Sequence, residues 1–180
     1  MNELTFNPVT GKFDIYAVPI ETIKAHITSP INNPTLNNWT PFSGFEVVSD
    51  DSSGKYIEMD ANTRLFRVKK SGLFMFGGCV HFINNTAAAF NIMTLLIRVV
   101  KNGNSEARCS QRGFIGNFGA DNESNLAFGG TDDMQIDDTL ELQYYTNEND
   151  LTFFSNANFQ YQVAASFWLL YLGKRKAPIV

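Results

Sequence analysis

An all-β sandwich is the fold class this sequence predicts, on three observations: a composition built for turns, short apolar segments at close spacing, and two segments that are apolar on both faces. Charged residues make up only 18% of the chain, and Asn, Ser, Thr and Gly stand in their place, Asn alone occurring nineteen times. Asn and Gly accept positive φ and close tight turns, so the chain turns often and its strands are short. Sixteen Phe and six Tyr suit a half-buried pleated surface. At 180 residues, one sizeable core with short appendages is the simplest partition.

Residues 1 to 14 stand apart from the rest. The run Phe6-Asn7-Pro8-Val9-Thr10-Gly11-Lys12-Phe13-Asp14 sets Pro and Gly about a turn with an aromatic on each side, and it is too short to fold alone. It reads either as a free end or as a peptide that becomes ordered on a partner. Residues 15 to 38, with Pro19, Pro30 and Pro34, read as an extended arm. From Trp39 the pattern changes to strands: Phe42 to Val48, Lys55 to Met59, Arg64 to Val68, Leu73 to Phe82 and Phe90 to Val100. The Asn102-Gly103 pair after the last of these is a strong hairpin signal. Glu106 to Ile115, Asn125 to Gln135, Thr139 to Tyr145 and Val163 to Leu172 complete the set, and residues 174 to 180 form a short basic tail. Eight to ten short strands without a fixed repeat predict a sandwich or barrel.

A sandwich strand alternates, apolar inward and polar outward, as Leu140, Leu142 and Tyr144 do against Thr139, Glu141 and Gln143. Two strands break this rule. Leu73 to Phe82 carries Phe74, Phe76, Val80 and Phe82 on one parity and Leu73, Met75, Cys79 and His81 on the other. Val163 to Leu172 carries Val163, Ala165, Phe167, Leu169 and Tyr171 against Ala164, Ser166, Trp168, Leu170 and Leu172. A sandwich covers one face of each strand, so the second needs another cover. A further copy of the chain is the simplest, since closed homo-oligomers are the usual assemblies. The alternative is that the arm at 15 to 38 folds back over these strands.

Charge and chemistry exclude several functions. A net charge of −4 argues against nucleic acid, and no stretch is long and apolar enough to span a bilayer. The basic groups Arg67, Lys69, Lys70 and Lys174, Arg175, Lys176 read as solvated strand ends, and no basic start followed by an apolar run opens the chain. Cys79 and Cys109 are too few and too far apart for a disulfide framework or metal site and read as buried free thiols. Nucleophile-elbow, zinc-protease and phosphate-loop signatures are absent, so no catalytic residue, metal ligand or cofactor is expected. His26 lies in the arm and His81 in an apolar strand, which leaves a base and nucleophile relay without parts. The acids Asp132, Asp133, Asp137, Asp138 and Asp50, Asp51 could offer oxygen ligands to Ca²⁺, yet lack the spacing of a calcium loop and read as solvated turn acids.

Three segments then carry a resemblance. Arg64-Leu65-Phe66-Arg67-Val68-Lys69-Lys70-Ser71-Gly72-Leu73-Phe74-Met75-Phe76 resembles the central signature of C1q-like and tumour-necrosis-factor-like domains. Met134-Gln135-Ile136-Asp137-Asp138-Thr139-Leu140-Glu141-Leu142 is similar to that family's Gly-Asp-x-hydrophobic-x-Leu segment, with Asp137 where Gly is usual, and Ala165 to Leu172 is similar to its closing strand. The resemblance spans roughly residues 40 to 173. It implies a ten-stranded jelly-roll domain at 39 to 173 forming a homotrimer, with the Gly72-to-Phe82 and closing strands side by side in the inner sheet. The trimer interface would then hold Leu73, Met75, His81, Trp168, Leu170 and Leu172.

The start Phe6 to Asp14 is similar to the N-termini of small bacteriophage virion proteins, among which C1q-like trimers recur as head fibres and decoration proteins. This resemblance implies a non-enzymatic virion protein, its N-terminus held to capsid, portal or tail proteins through Phe6, Pro8 and Phe13. The loop Gly113 to Ala120 is the candidate host contact, to a surface glycan or protein, through Phe114, Asn117 and Phe118; it could equally pack in the trimer. The competing readings are a cellular C1q/TNF-like ligand-binding module and a glycan-cleaving tail enzyme.

Overall fold

The computed structural model describes residues 2–7, 12–17, 21–32, 34–50, 55–60, 62–84, 92–104, 106–116, 122–147, 151–153 and 163–173. These form fourteen strands and no α-helix: β1 Asn2–Asn7, β2 Lys12–Ala17, β3 Thr22–Ile27, β4 Thr40–Pro41, β5 Glu46–Asp50, β6 Ile57–Met59, β7 Phe66–Val68, β8 Gly72–Asn84, β9 Ile92–Lys101, β10 Ala107–Gly116, β11 Asn122–Met134, β12 Thr139–Thr146, β13 Leu151–Phe153 and β14 Ala165–Gly173. Two antiparallel sheets make a sandwich. The first runs β11, β8, β14, β3, β5, with β13 also on β8; the second runs β10, β9, β12, β7, β6, with β4 also on β12. Among the described residues β1 and β2 pair only with each other, in register from Asn2 opposite Ala17 to Asn7 opposite Lys12.

The core lies between the sheets. Phe74, Phe76, Val80 and Phe82 of β8 and Phe167, Leu169 and Tyr171 of β14 face Phe66 and Val68 of β7, Leu95, Ile97 and Val99 of β9, and Leu140, Leu142 and Tyr144 of β12 in one apolar cluster. Alternation along each strand sends this parity inward, and burying each such side chain stabilises the fold by about 1.5–3 kcal/mol. Phe167 ties the sheets together: its ring centroid is 4.8 Å from that of Phe66 across the core, 5.7 Å from Phe128 and 6.1 Å from Phe45. A second aromatic group joins Phe42, Tyr144 and Phe153, with centroids 4.7 to 4.9 Å apart.

Turn chemistry follows the sequence in two places. Asn102 and Gly103, between β9 and β10, both take positive φ, +55° and +65°, as a tight hairpin requires. Asp137 sits at φ +69°, a left-handed conformation that glycine adopts freely and Asp tolerates.

Two expectations change. The strand placed at Phe42 to Val48 begins only at Glu46, because Gly44 turns the chain at φ +84° and sends Phe42 and Phe45 into the core as loop residues; the strand instead continues to Asp50. The arm expected over 15 to 38 holds β3, which pairs with β14 from Ile27 opposite Ala165 to Thr22 opposite Leu170. It alternates Ile23, Ala25 and Ile27 inward with Thr22, Lys24 and His26 outward, so it widens the first sheet sideways and does not roof it. The following residues are tied elsewhere, Ile31 to Phe153, Asn37 to Thr146 and Phe42 to Leu142, by backbone hydrogen bonds of 2.8 to 3.1 Å.

Candidate functional site

The two strands that are apolar on both faces are neighbours. β8 and β14 pair with Met75 opposite Leu170, Gly77 opposite Trp168 and Cys79 opposite Ser166. Leu73, Met75, His81, Trp168, Leu170 and Leu172 therefore share the face of the first sheet that points away from the core, and all six are half-buried in the single chain. Rows continue sideways by register, Trp168 beside Lys24 and Ser166 beside His26 on β3, and Gly77 beside Gly129 and Met75 beside Thr131 on β11. The result is an apolar stripe on β8 and β14, flanked by Thr22, Lys24 and His26 on β3 and by Asn125, Thr131 and Asp133 on β11.

Glycines shape this surface. A Cβ at Gly77 would lie 2.6 Å from Cζ2 of Trp168 and 2.9 Å from the Phe128 carbonyl oxygen, so the indole lies across Gly77 and keeps the face low. At Gly78, on the core side, a Cβ would fall 2.7 Å from Cζ of Phe128 and on top of the Ser166 carbonyl oxygen. Gly77 is part of the surface and Gly78 lies beneath it on the core side, although the apolar parity pattern passes over both. Two glycines inside an apolar strand are the signal for them, since such a pair marks close approach of a neighbour.

The titratable groups on this face include His26, His81, Cys79 and Lys24, with Glu46 opposite His26 and Asp133 opposite Leu73. Burial and then the charge of Lys24 push the His26 imidazole below its ordinary value, and burial raises the Cys79 thiol despite backbone hydrogen bonds near Leu126 and Val80. The Ser166 hydroxyl is engaged by the backbone: it accepts the Cys79 N–H at 3.1 Å and donates to the Cys79 carbonyl at 3.5 Å. Those bonds fix β14 against β8, which is a packing role. Both cysteines are free and half-buried, close to the expectation of buried thiols.

The acidic cluster is organised about a lysine. Lys101 Nζ lies 3.1 Å from Asp132 Oδ2, 3.4 Å from Asp138 Oδ2 and 3.0 Å from the Asp133 carbonyl oxygen. Arg108 Nε approaches the same Asp132 oxygen to 3.3 Å, so β9 and β10 of the second sheet are clasped to β11 of the first. Both cations reach that oxygen outside hydrogen-bond geometry, and their hold on it is Coulombic. These acids, expected as solvated, are 12 to 17% exposed at Asp138 and Asp132 because the ammonium draws them inward. Among the described residues no group of three or more His, Cys, Asp or Glu is arranged to hold a metal ion.

Burial alone would raise the Asp138 carboxyl, but the Asn102 side chain, the Gln135 N–H and the Lys101 ammonium together hold it below the usual range. A carboxylate whose folded pKa is lowered contributes stability above its unfolded value, near 4, which is lost as pH falls through the lowered one. Lys101→Met is expected to cost about 2 kcal/mol at pH 7, because it leaves two half-buried carboxylates without their shared cation. Urea denaturation checks this, and the gap from the wild type should shrink below about pH 4 as the carboxylates protonate in both proteins.

The remaining expected contacts fall elsewhere. Phe6 and Phe13 are direct cross-strand partners in the β1–β2 ladder, which extends the N-terminal element past residue 14 to Ala17. Pro8 lies outside the described residues. The loop expected over 113 to 120 is strand as far as Gly116, with Phe114 opposite Thr94, and Asn117 and Phe118 lie outside the described residues. Arg67 and Lys69 are solvated as expected, with side chains 40 and 43% exposed, and pair with Glu58, Arg67 also with Asp60, while the Lys70 ammonium stands 4.3 Å above the Tyr56 ring. Lys174, Arg175 and Lys176 lie outside the described residues. No protein-family model matches the chain, and no curated protein matches it.

Proposed function

We propose that the protein is a non-enzymatic structural component of a bacteriophage particle, a homotrimeric jelly roll of the C1q and tumour-necrosis-factor type that serves as a head fibre or capsid decoration. The observation that carries the reading is the outward face of the first sheet, where Leu73, Met75, Trp168, Leu170 and Leu172 make a continuous apolar surface on β8 and β14. Such a face on a soluble sandwich needs a cover, and three copies arranged about it supply one from identical surfaces. The strand order supports the jelly roll: the chain passes from β7 in the second sheet to β8 in the first, back to β9 and β10, over to β11, back to β12 and over to β14. The N-terminal hairpin, separate from both sheets, supports an attachment role, because a two-stranded ribbon is marginal until it docks.

Native mass measured on the purified protein tests the reading. The expected mass is three times that of the 20.2 kDa chain, falling to one with Leu170→Asp, which sets a charge in the middle of the covered face. A wild-type protein that stays monomeric at micromolar concentration overturns it. Deleting residues 1 to 17 should leave the trimer intact and abolish its incorporation into particles, and continued incorporation sinks the attachment role.

A further inference from the structure

The outward face of the second sheet carries a different surface. β4 runs beside β12 with Thr40 opposite Tyr144, which brings Trp39 next to Tyr145; their ring centroids are 5.7 Å apart and tilted by 49°. The Arg98 guanidinium, from the neighbouring strand β9, stands over the Trp39 ring with Cζ 4.0 Å from its centroid and gives its Nε–H to Gln143 Oε1 at 2.8 Å. Gln143 in turn donates its amide N–H to Glu141 Oε2. Two half-buried aromatic rings thus border a chain of guanidinium, amide and carboxylate, and the amide at its centre is only 9% exposed.

We propose that this Trp39, Arg98 and Tyr145 surface binds a neutral saccharide unit. A pyranose offers an apolar C–H face and a rim of hydroxyls, each of which donates and accepts at once. Tilted aromatic rings match the C–H face, and adjoining donor and acceptor groups match the rim. The formal charges of Arg98 and Glu141 cancel within the site, and the chain carries a net charge of −4, so a neutral sugar suits it better than a polyanion. Gln143 holds both charged partners in place on adjacent paired strands, and the Arg98 stack fixes the indole, so ordering the site costs a ligand little.

The proposal rests on the reading that copies of the chain cover the first sheet and leave the second facing outward. The full-length protein holds two tryptophans, whose indole N–H signals in a ¹⁵N spectrum are told apart with Trp39→Phe. Glucose, galactose and N-acetylglucosamine are titrated separately, with N-acetylneuraminic acid as the charged arm. The expected result is a saturable shift of the Trp39 signal with at least one neutral sugar, a still Trp168 signal, and affinity lowered about tenfold by Tyr145→Ala. Glu141→Gln, which keeps the shape of the side chain, should weaken binding without altering thermal stability much. No shift with any probe, a shift with the charged sugar alone, or binding by both variants as tight as that of the wild type overturns the proposal. Native mass is measured on the same sample: a trimer without a sugar response overturns the saccharide site alone, and a monomer overturns the covered first sheet while the Trp39 response is scored by the same criteria.

Discussion

Gly78→Ala is expected to cost about 3 kcal/mol or more, a large share of an ordinary stability of about 5–15 kcal/mol. The added methyl would collide with the Ser166 carbonyl oxygen of β14 and press on Cζ of Phe128 at 2.7 Å. A flexible side chain could swing aside, but a backbone carbonyl inside a paired strand cannot move without breaking the β8–β14 ladder on which the first sheet is centred. Gly77→Ala offers the contrast. Its methyl meets the Trp168 ring, which can rotate, at 2.6 Å and the Phe128 carbonyl oxygen of β11, which cannot, at 2.9 Å. That backbone clash is milder than the closer approach to the Ser166 carbonyl oxygen at Gly78. Chemical denaturation should therefore show the larger loss at Gly78 and a smaller one at Gly77, where self-association should change as well. Equal stability of Gly78→Ala and the wild type would contradict the close approach of β14.

Phe167→Ala is expected to lower stability by about 3–5 kcal/mol. Phe167 is 2% exposed and touches rings on three other elements, Phe45 before β5, Phe66 on β7 and Phe128 on β11. Its removal leaves a cavity bounded by rigid rings from both sheets, which cannot close together without shifting whole strands, so the upper part of that range applies. Phe167→Leu, which keeps most of the volume, should recover a large part of the loss. Urea midpoints for the three proteins compare these effects directly.

Long strands were legible in the sequence because parity and turn chemistry agreed there. β8, β9, β11, β12 and β14 fall within three residues of their expected bounds, and the Asn102-Gly103 turn stands where the hairpin signal put it. The outward surface was legible for the same reason: an apolar residue on the wrong parity is visible without coordinates, as Met75 and Leu170 are. β3 was hidden between prolines although Ile23, Ala25 and Ile27 alternate, since six residues flanked by Pro19 and Pro30 look equally like a linker. β4 and β13 are two and three residues long and owe their form to the strands they lie against, which no local pattern records. Lys101 and its acids were legible as charges but not as a clasp, because β9, β11 and the turn before β12 meet only through tertiary folding.

The position of β14 also governs when the protein can fold. This strand, made last among the described residues, sits between β8 and β3 at the middle of the first sheet, so the first sheet stays split in two until residue 173 has been synthesised. β3 must then find a partner some 140 residues away in sequence, an arrangement whose loop-closure entropy makes folding slow. Until it does so, Phe74, Phe76 and the rest of the inward face wait uncovered. A nascent chain of this design cannot complete its first sheet until β14 has left the ribosome, and a truncation before Ala165 would yield an aggregating polypeptide in place of a smaller domain.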